Sequence, residues 1–346
     1  MSMWGVRGAA LAASVALVLS GCGAAAAGGG GSTSAAGAGT LTVYNAQHED
    51  LVAEEVAGFT AATGIKVTVR NGDDSELGNQ LVQEGKASPA DVFLTENSPA
   101  MGLVDQAGLF APLAAPTLTE VPAAYLPSSR RWAGWAARST VLAYNPAKVA
   151  ATALPASILD LAQPQWKGRV GIAAGGADFQ AVVSAVLSLE GKDKTLAWLT
   201  ALKTNANVYQ GNTAIMKAVN AGQIDTGVTY HYYWAKDRAE SGANSKNVEL
   251  HYFGNKDPGA FMSVSGAGVL ATSKNADAAQ KFVAFLTSKA GQQILAKSKA
   301  LEYPIASGVA PNAALKPIAE LEAPTVDPGT LNGPNVVSMM QEAGLI

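Results

Sequence analysis

Two phenols stand side by side in this chain, Tyr232 and Tyr233, inside the run "TYHYYWAKDR" at 229–238, although aromatics are only 7% of the residues. A phenolate is a hard anionic oxygen donor, and its free pKa of about 10 means that a strongly charged cation must displace the proton at neutral pH. Zinc sites favour Cys and His, and calcium favours carboxylates and carbonyls, so neither suits paired phenols. A trivalent, oxygen-preferring ion does. Two phenolates, one carboxylate (Glu96) and one neutral imidazole (His48) would balance a 3+ charge, and ferric iron best matches that donor set.

Elements far apart in sequence must carry these groups to one place. "TLTVYNAQHE" reads as a short strand, and "DLVAEEVAGFTAATG" after it has apolar residues at helical spacing, ending on Gly64. "IKVTVRNG" followed by "DDSELGNQLVQEGKAS" repeats the unit, with Asp74 or Ser75 as a candidate helix cap, and "ADVFLTENSPAMGLVDQAGL" is a third. "RVGIAAGGADFQAVVSAVLSL", "DTGVTYHYYWAKDRAESG" and "GAGVLATSKNADAAQKFVAFLTSKAGQQIL" continue the alternation. Strands alternating with helices predict an α/β protein with a parallel sheet covered on both faces. Ligands of such sheets collect beyond the carboxyl ends of the strands. The residues there are His48, Glu96, the Gly175-Gly176 pair, and Tyr232 with Tyr233. Each alone has an ordinary structural explanation, as a surface imidazole, a helix cap or packing; their combination at one sheet edge points to binding.

Composition narrows the partners. The 346 residues are 48% hydrophobic, enough for two lobes, and the net charge of −3 leaves no basic field for nucleic acid. Residues 1–22, "MSMWGVRGAALAASVALVLSGC", carry Arg7, an apolar stretch from Ala9 to Leu19, and then small residues, which is the pattern of a secretory signal. Cys22 is the one cysteine, so no internal disulfide can form, and Leu19-Ser20-Gly21-Cys22 resembles the lipobox of bacterial lipoproteins, in which this Cys is lipidated. Residues 23–39, rich in Gly, Ala and Ser, read as a flexible tether, and the folded body begins near Thr40. An extracytoplasmic protein tethered to the membrane by lipid at Cys22, and monomeric, is the expectation.

"VYNAQHE", "ADVFLTEN", "HYYW" and "AFMSVSGAGVL" resemble, in order and spacing, the bacterial periplasmic ferric-ion-binding proteins, and the similarity runs from about Thr42 past "LEYPI" at 301–305. The resemblance implies a two-lobe periplasmic-binding-protein fold of type II, with transferrin-like lobes whose parallel-rich sheets are joined by hinge strands. Residues 40–139 with 264–312 would form the N-terminal lobe, and 140–263 with 313–346 the C-terminal lobe. It implies His48, Glu96, Tyr232 and Tyr233 as ferric ligands, offered by opposite lobes that close on the ion, and an ABC permease with its ATPase as partners. It further implies a synergistic anion such as phosphate or carbonate, held near "IAAGGADFQAVV" and "GNTAIMKAV" by Gly176, Ala177, Asn212 and Tyr230, with Arg138 as another contact. Gly176 stands where relatives often carry a serine, and Tyr230 where an asparagine often precedes the tyrosine pair. Phe179 lies near a position where some relatives use a further tyrosine and lack the histidine and glutamate.

Alternation along the aromatic run points His231 away from its neighbours, toward solvent or a capping role. His251, Trp132 and Trp135 read as structural. Two other functions compete. One is a binding protein for an organic or oxyanion ligand such as a polyamine, thiamine or sulfate, which would need acidic-aromatic boxes or amide nests at the cleft. The other is an extracellular metalloenzyme, but the three histidines include no H-E-x-x-H pattern, and the chain has no G-x-S-x-G elbow and no catalytic cysteine, so no enzyme activity is expected.

Overall fold

The computed structural model describes residues 40–346, so the signal segment 1–22, Cys22 and the tether 23–39 lie outside the described residues. In chain order the first β-α units are β1 (Leu41–Asn45), α1 (Glu49–Thr63), β2 (Val67–Asn71), α2 (Asp74–Glu84), β3 (Val92–Leu94) and α3 (Ser98–Gln106), followed by the short α4 (Ala115–Thr119) and the long β4 (Trp132–Tyr144). Next come β5 (Val170–Ile172), α5 (Ala177–Glu190), α6 (Lys192–Asn205), β6 (Ala206–Val208), α7 (Asn212–Asn220), β7 (Thr226–Tyr230), α8 (His231–Glu240) and β8 (Glu249–His251). The chain then returns through β9 (Met262–Val269), α9 (Ala276–Thr287), α10 (Lys289–Lys297) and β10 (Tyr303–Pro304) to α11 (Gly333–Glu342). Among the described residues no helix is long and apolar enough to cross a membrane.

Local sequence accounts for the helix boundaries. Asp73 caps α2 by accepting from the Ser75 amide at 3.0 Å, and α1 ends where Gly64 turns into the left-handed region at φ 74°. Acidic residues Glu49 and Asp50 occupy the first turn of α1, where the helix dipole favours them.

The sheet order is β2-β1-β3-β9-β4-β7-β5-β6, with β8 and β10 also paired to β4. β1 pairs in parallel with β2 and β3, and β5 pairs in parallel with β6 and β7. The sheet is parallel-rich, as expected, in its two outer parts, whereas at its centre β9 runs antiparallel to both β3 and β4, and β4 antiparallel to β7. Strand direction follows from the long connections that return the chain between the two halves, which local periodicity does not encode.

β4 joins those halves. Its residues Trp132–Ser139 pair with β9, and Thr140–Tyr144 pair with β7. All thirteen of its residues are buried, which fits the largely apolar character of "WAGWAARSTVLAY", interrupted by Arg138, Ser139 and Thr140. Trp132 and Trp135 are packed into separate cores under the first half, with no exposed face. The glycine in "SGAG" at 266 is required for packing: a Cβ there would sit 2.3 Å from Met101 Cγ.

Candidate functional site

Five helix N-termini meet at one edge of this sheet. His48 is the N-cap of α1, Glu96 precedes the N-cap Asn97 of α3, Gly176 is the N-cap of α5, Asn212 opens α7, and Tyr230 is the N-cap of α8. Each follows the end of a strand or its loop, and each terminus presents free amides and the positive end of a dipole, a setting that favours anionic side chains.

The structure brings His48, Glu96, Tyr232 and Tyr233 together. Tyr232 Oη donates to Glu96 Oε1 at 2.9 Å, the His48 ring packs edge-on against Tyr232 with centroids 5.0 Å apart, and the two tyrosine rings lie 4.2 Å apart. His48 Nε2 lies 3.9 Å from Glu96 Oε1. His48 and Glu96 come from the half built on β1 and β3, and the tyrosines from the half built on β7, so the group spans the joint between halves.

Electrostatics set the protonation of the group. Burial, and then the charges of Glu96 and Asp178, hold the Tyr232 phenol well above its ordinary value; burial, then Asp178 and Glu96, do the same to Tyr233. Glu96 is pushed up to about 7, chiefly by burial and then by Asp178, against the pull of Arg138 and His48. Burial draws the His48 imidazole down, but the Glu302 carboxylate 3.1 Å away, then the charge of Glu96, leave it net raised. In the absence of a cation the phenols therefore keep their protons.

Two carboxylates in this constellation escaped the sequence reading. Asp178, in the first turn of α5, accepts from Tyr233 Oη at 3.0 Å and Asn212 Nδ2 at 2.7 Å through Oδ2, and from Asn97 Nδ2 at 2.9 Å through Oδ1. Its position just past the Gly175-Gly176 pair was the available signal; an acidic residue in a first helical turn is ordinarily explained by the dipole alone. Glu302, fully buried, faces His48 Nε2 at 3.1 Å and pairs with Arg138 Nη2 at 3.1 Å. Burial alone would raise this carboxyl, but Arg138, then His48, hold it down to about 2.

The remaining expected contacts surround Asp178. Tyr230 Oη donates to the Asp178 carbonyl at 3.2 Å, and Asn212 contacts the Asp178 carboxylate. Gly176 and Ala177 form the turn that precedes it, and Phe179 stacks against Trp198 with ring centroids 6.1 Å apart. Arg138 donates to the Glu96 carbonyl and, at 2.7 Å, to Ser265 Oγ, so its guanidinium serves the half built on β1 and β3. A cavity of about 440 Å³ opens beside Asn97, Gly175 and Ala177, between α2, α3, α5 and α11.

His231 departs from the expectation. It is 1% exposed: Nδ1 accepts from the Ser139 amide at 3.1 Å, which leaves the proton on Nε2 to be donated to the Leu301 carbonyl at 3.0 Å. The helix begins at His231, so its helical turn replaces the strand alternation that would have sent the ring outward. Burial lowers its pKa to about 4. His251 is structural, with Nε2 3.0 Å from the Pro155 carbonyl.

Residues 87–328 match the family described as bacterial extracellular solute-binding protein. Across 88% of this chain the sequence is 60% identical to the Fe(3+)-binding periplasmic protein of Serratia marcescens, covering 90% of that protein. It is 37% identical to the major ferric iron-binding protein of Neisseria meningitidis, over 88% of this chain and 93% of the other. The chain belongs to the bacterial periplasmic ferric-ion-binding protein family. Iron-bound HitA from Pseudomonas aeruginosa superposes on this family member with a TM-score of 0.82 at 42% identity, covering 88% of this chain and 99% of HitA. The α/β, two-lobe architecture is thereby shared with solved ferric-ion-binding proteins. Membership makes this an extracytoplasmic binding protein of iron uptake rather than an enzyme.

Proposed function

We propose that this protein captures a ferric ion between its two lobes and hands it to an ABC permease and its ATPase. The observation that carries the reading is the pair Tyr232 and Tyr233 at the start of α8, facing Glu96 and His48 across the joint. Phenols bound by a trivalent cation give up their protons as a metal-bound thiol does, and the helix terminus assists. The lobe boundary at 139/140 is supported by the exchange of partners along β4 from β9 to β7, whereas one at 263/264 would fall inside β9; α11 packs into the core with α5 and α6. Lipid at Cys22 would keep the body at the membrane surface near the permease.

The shell's last anionic position has two candidates. Asp178 is favoured, because its carboxylate already touches Tyr233, Asn212 and Asn97, where an exogenous anion would be expected to sit against Gly176, Ala177, Asn212 and Tyr230. A synergistic phosphate or carbonate is the second reading, supported by the cavity beside Ala177 and Gly175, which is large enough to admit a small anion to the first turn of α5.

The test is a visible titration of the ion-free protein with ferric ion, repeated with phosphate, carbonate and citrate. A saturable red to violet phenolate-to-iron band at one equivalent is expected, lost stepwise in Y232F, Y233F and the double variant. Iron binding that persists unchanged in all three variants sinks the site. A band independent of added anion in the parent, together with a D178N variant that binds weakly or regains binding only with phosphate, supports Asp178; a band that requires an anion in the parent favours the synergistic reading.

A further inference from the structure

Asn97 is the N-cap of α3 and is 1% exposed, yet its side chain makes no cap hydrogen bond to that helix. Its carboxamide is turned instead to the joint between the halves. Nδ2 donates to Asp74 Oδ2 at 3.0 Å and to Asp178 Oδ1 at 2.9 Å, so its two protons are spent one on each half. Oδ1 accepts from Ser263 Oγ at 2.8 Å and lies 3.4 Å from Arg138 Nη1 and 3.5 Å from Tyr230 Oη. The Asp178 carboxylate accepts and the Arg138 guanidinium only donates, which settles which end of the amide faces which partner.

The half built on β1 and β3 sets this residue in advance. Asp74, in the first turn of α2, accepts from the Glu96 amide at 2.9 Å through Oδ1 and from the Asn97 amide at 3.0 Å through Oδ2. One buried carboxyl group thus holds the main chain of both residues and one proton of the carboxamide, and the other proton is aimed across the joint. Asp178 divides its oxygens accordingly. Oδ2 takes Tyr233 Oη at 3.0 Å and Asn212 Nδ2 at 2.7 Å, both from its own half, while Oδ1 takes Asn97 from the other.

We propose that Asn97 is a positioning residue for iron capture, acting through Asp178: on closure its carboxamide takes Oδ1 and so presents Oδ2, the oxygen beside Tyr233, to the ion. The grip falls on the oxygen that the ion does not use, so Asn97 orients the ligand without competing for it. When the halves part, Asp178 loses this restraint and its carboxylate regains rotation about χ2. Joining the halves removes that freedom again, so ordering the carboxylate is part of closure and is not charged separately against binding the ion. Partners of this kind typically alter metal affinity by about 10–100-fold when removed. The inference rests on the proposed ferric site with Asp178 in its last anionic position.

Iron affinity is read by chelator competition in phosphate-free buffer, in the whole mature protein, for wild type, N97S, N97D, D178N, N97S/D178N and N97D/D178N. The phenolate-to-iron band and the urea unfolding midpoint are recorded for each. N97S and N97D are expected to lose about 10–100-fold in affinity while keeping the band, since the tyrosines are untouched. N97D conserves the side chain's volume and the acceptor for Ser263 Oγ, so it carries the test if N97S does not fold. In the D178N background neither change at Asn97 should weaken binding by more than about twofold, the additivity that a purely structural role would give being absent. N97D/D178N also exchanges amide and carboxylate and can re-form a hydrogen bond across the joint, which separates orienting a ligand from merely fastening the halves; its affinity should stay at the D178N level. Wild-type affinity in the Asn97 variants, full additivity with D178N, or recovery toward wild type in N97D/D178N each overturns the proposal. Wild-type affinity in D178N would instead overturn Asp178 as a ligand, so the two failures are distinct.

Discussion

Loading the proposed site must expel protons, and their number follows from the environment of each group. Tyr232 and Tyr233 are held protonated well above the ordinary phenol range, so each loses one proton to a ferric ion across the whole accessible pH range. Glu96, pushed up to about 7, is roughly nine-tenths protonated at pH 6 and adds close to one more there, but almost none at pH 9. His48, raised by Glu302, contributes up to one further proton in acid. The loaded protein holds fewer protons than the ion-free one, so affinity rises with pH and falls in acid. The logarithm of the association constant should climb by about 3–4 per pH unit near pH 6 and by about 2 near pH 9. Between pH 7 and pH 5.5 the loss is then about four orders of magnitude, which would make acidification an effective release signal. Competition against a chelator of known protonation, followed by the phenolate band from pH 5 to 9, reads both slopes. A limiting slope below two at the alkaline end means that only one phenol is displaced, and the two-tyrosinate site fails.

Other outcomes are open to direct measurement. Glu55, buried in α1 with neither carboxylate oxygen hydrogen-bonded, is pushed up to about 9 by burial and then by Glu54. A raised carboxyl favours the fold fully only below its unfolded value of 4.5, and this contribution is lost as pH rises toward 9; at pH 7 the cost is about 3 kcal/mol. E55Q should therefore be more stable by up to that amount at pH 7 in urea unfolding and flatter in its pH dependence, and an equally steep profile would show that Glu55 ionises freely in the fold. Replacing Cys22 with Ser should move the protein from the membrane to the soluble fraction with iron titration unchanged, and retention on membranes would remove the lipid anchor from the account.

The strand-end grammar was readable because β-α units state their own boundaries: β-branched runs, a polar or glycine-rich turn, then helical spacing. That grammar located His48, Glu96, Gly176 and the tyrosine pair at one edge without any knowledge of strand order. It did not reveal β9 and the centre of β4 as antiparallel, since direction depends on long-range return paths. It also misjudged His231, because the switch from strand to helix fell on that residue and changed which side of the chain it faces. Asp178 and Glu302 were hidden for a different reason. A first-turn aspartate and an isolated glutamate in an apolar stretch both have bland local explanations, and only the neighbours brought in by the fold, Tyr233 for one and Arg138 with His48 for the other, give them a role.

The charge distribution also bears on how the two lobes share the ion. In the half built on β1 and β3, Arg138 pairs with Glu302 at 3.1 Å and lies 3.7 Å from Glu96, which leaves Glu96 the less tightly held of the two carboxylates to oppose a trivalent ion. In the other half Asp178 supplies one charge, and the two phenols supply theirs only when a cation displaces their protons. On the proposed reading the half that carries Asp178 and two phenolates already matches the charge of ferric iron, and Glu96 from the other half takes the joined set to one negative charge in excess, with Arg138 at hand to temper it. Closure and deprotonation then favour each other: the ion's field removes the phenolic protons, and the resulting phenolates strengthen the attraction that holds Glu96 and His48 against the second half. Acid reverses both at once, so a protein of this design needs no separate device to couple iron release to opening.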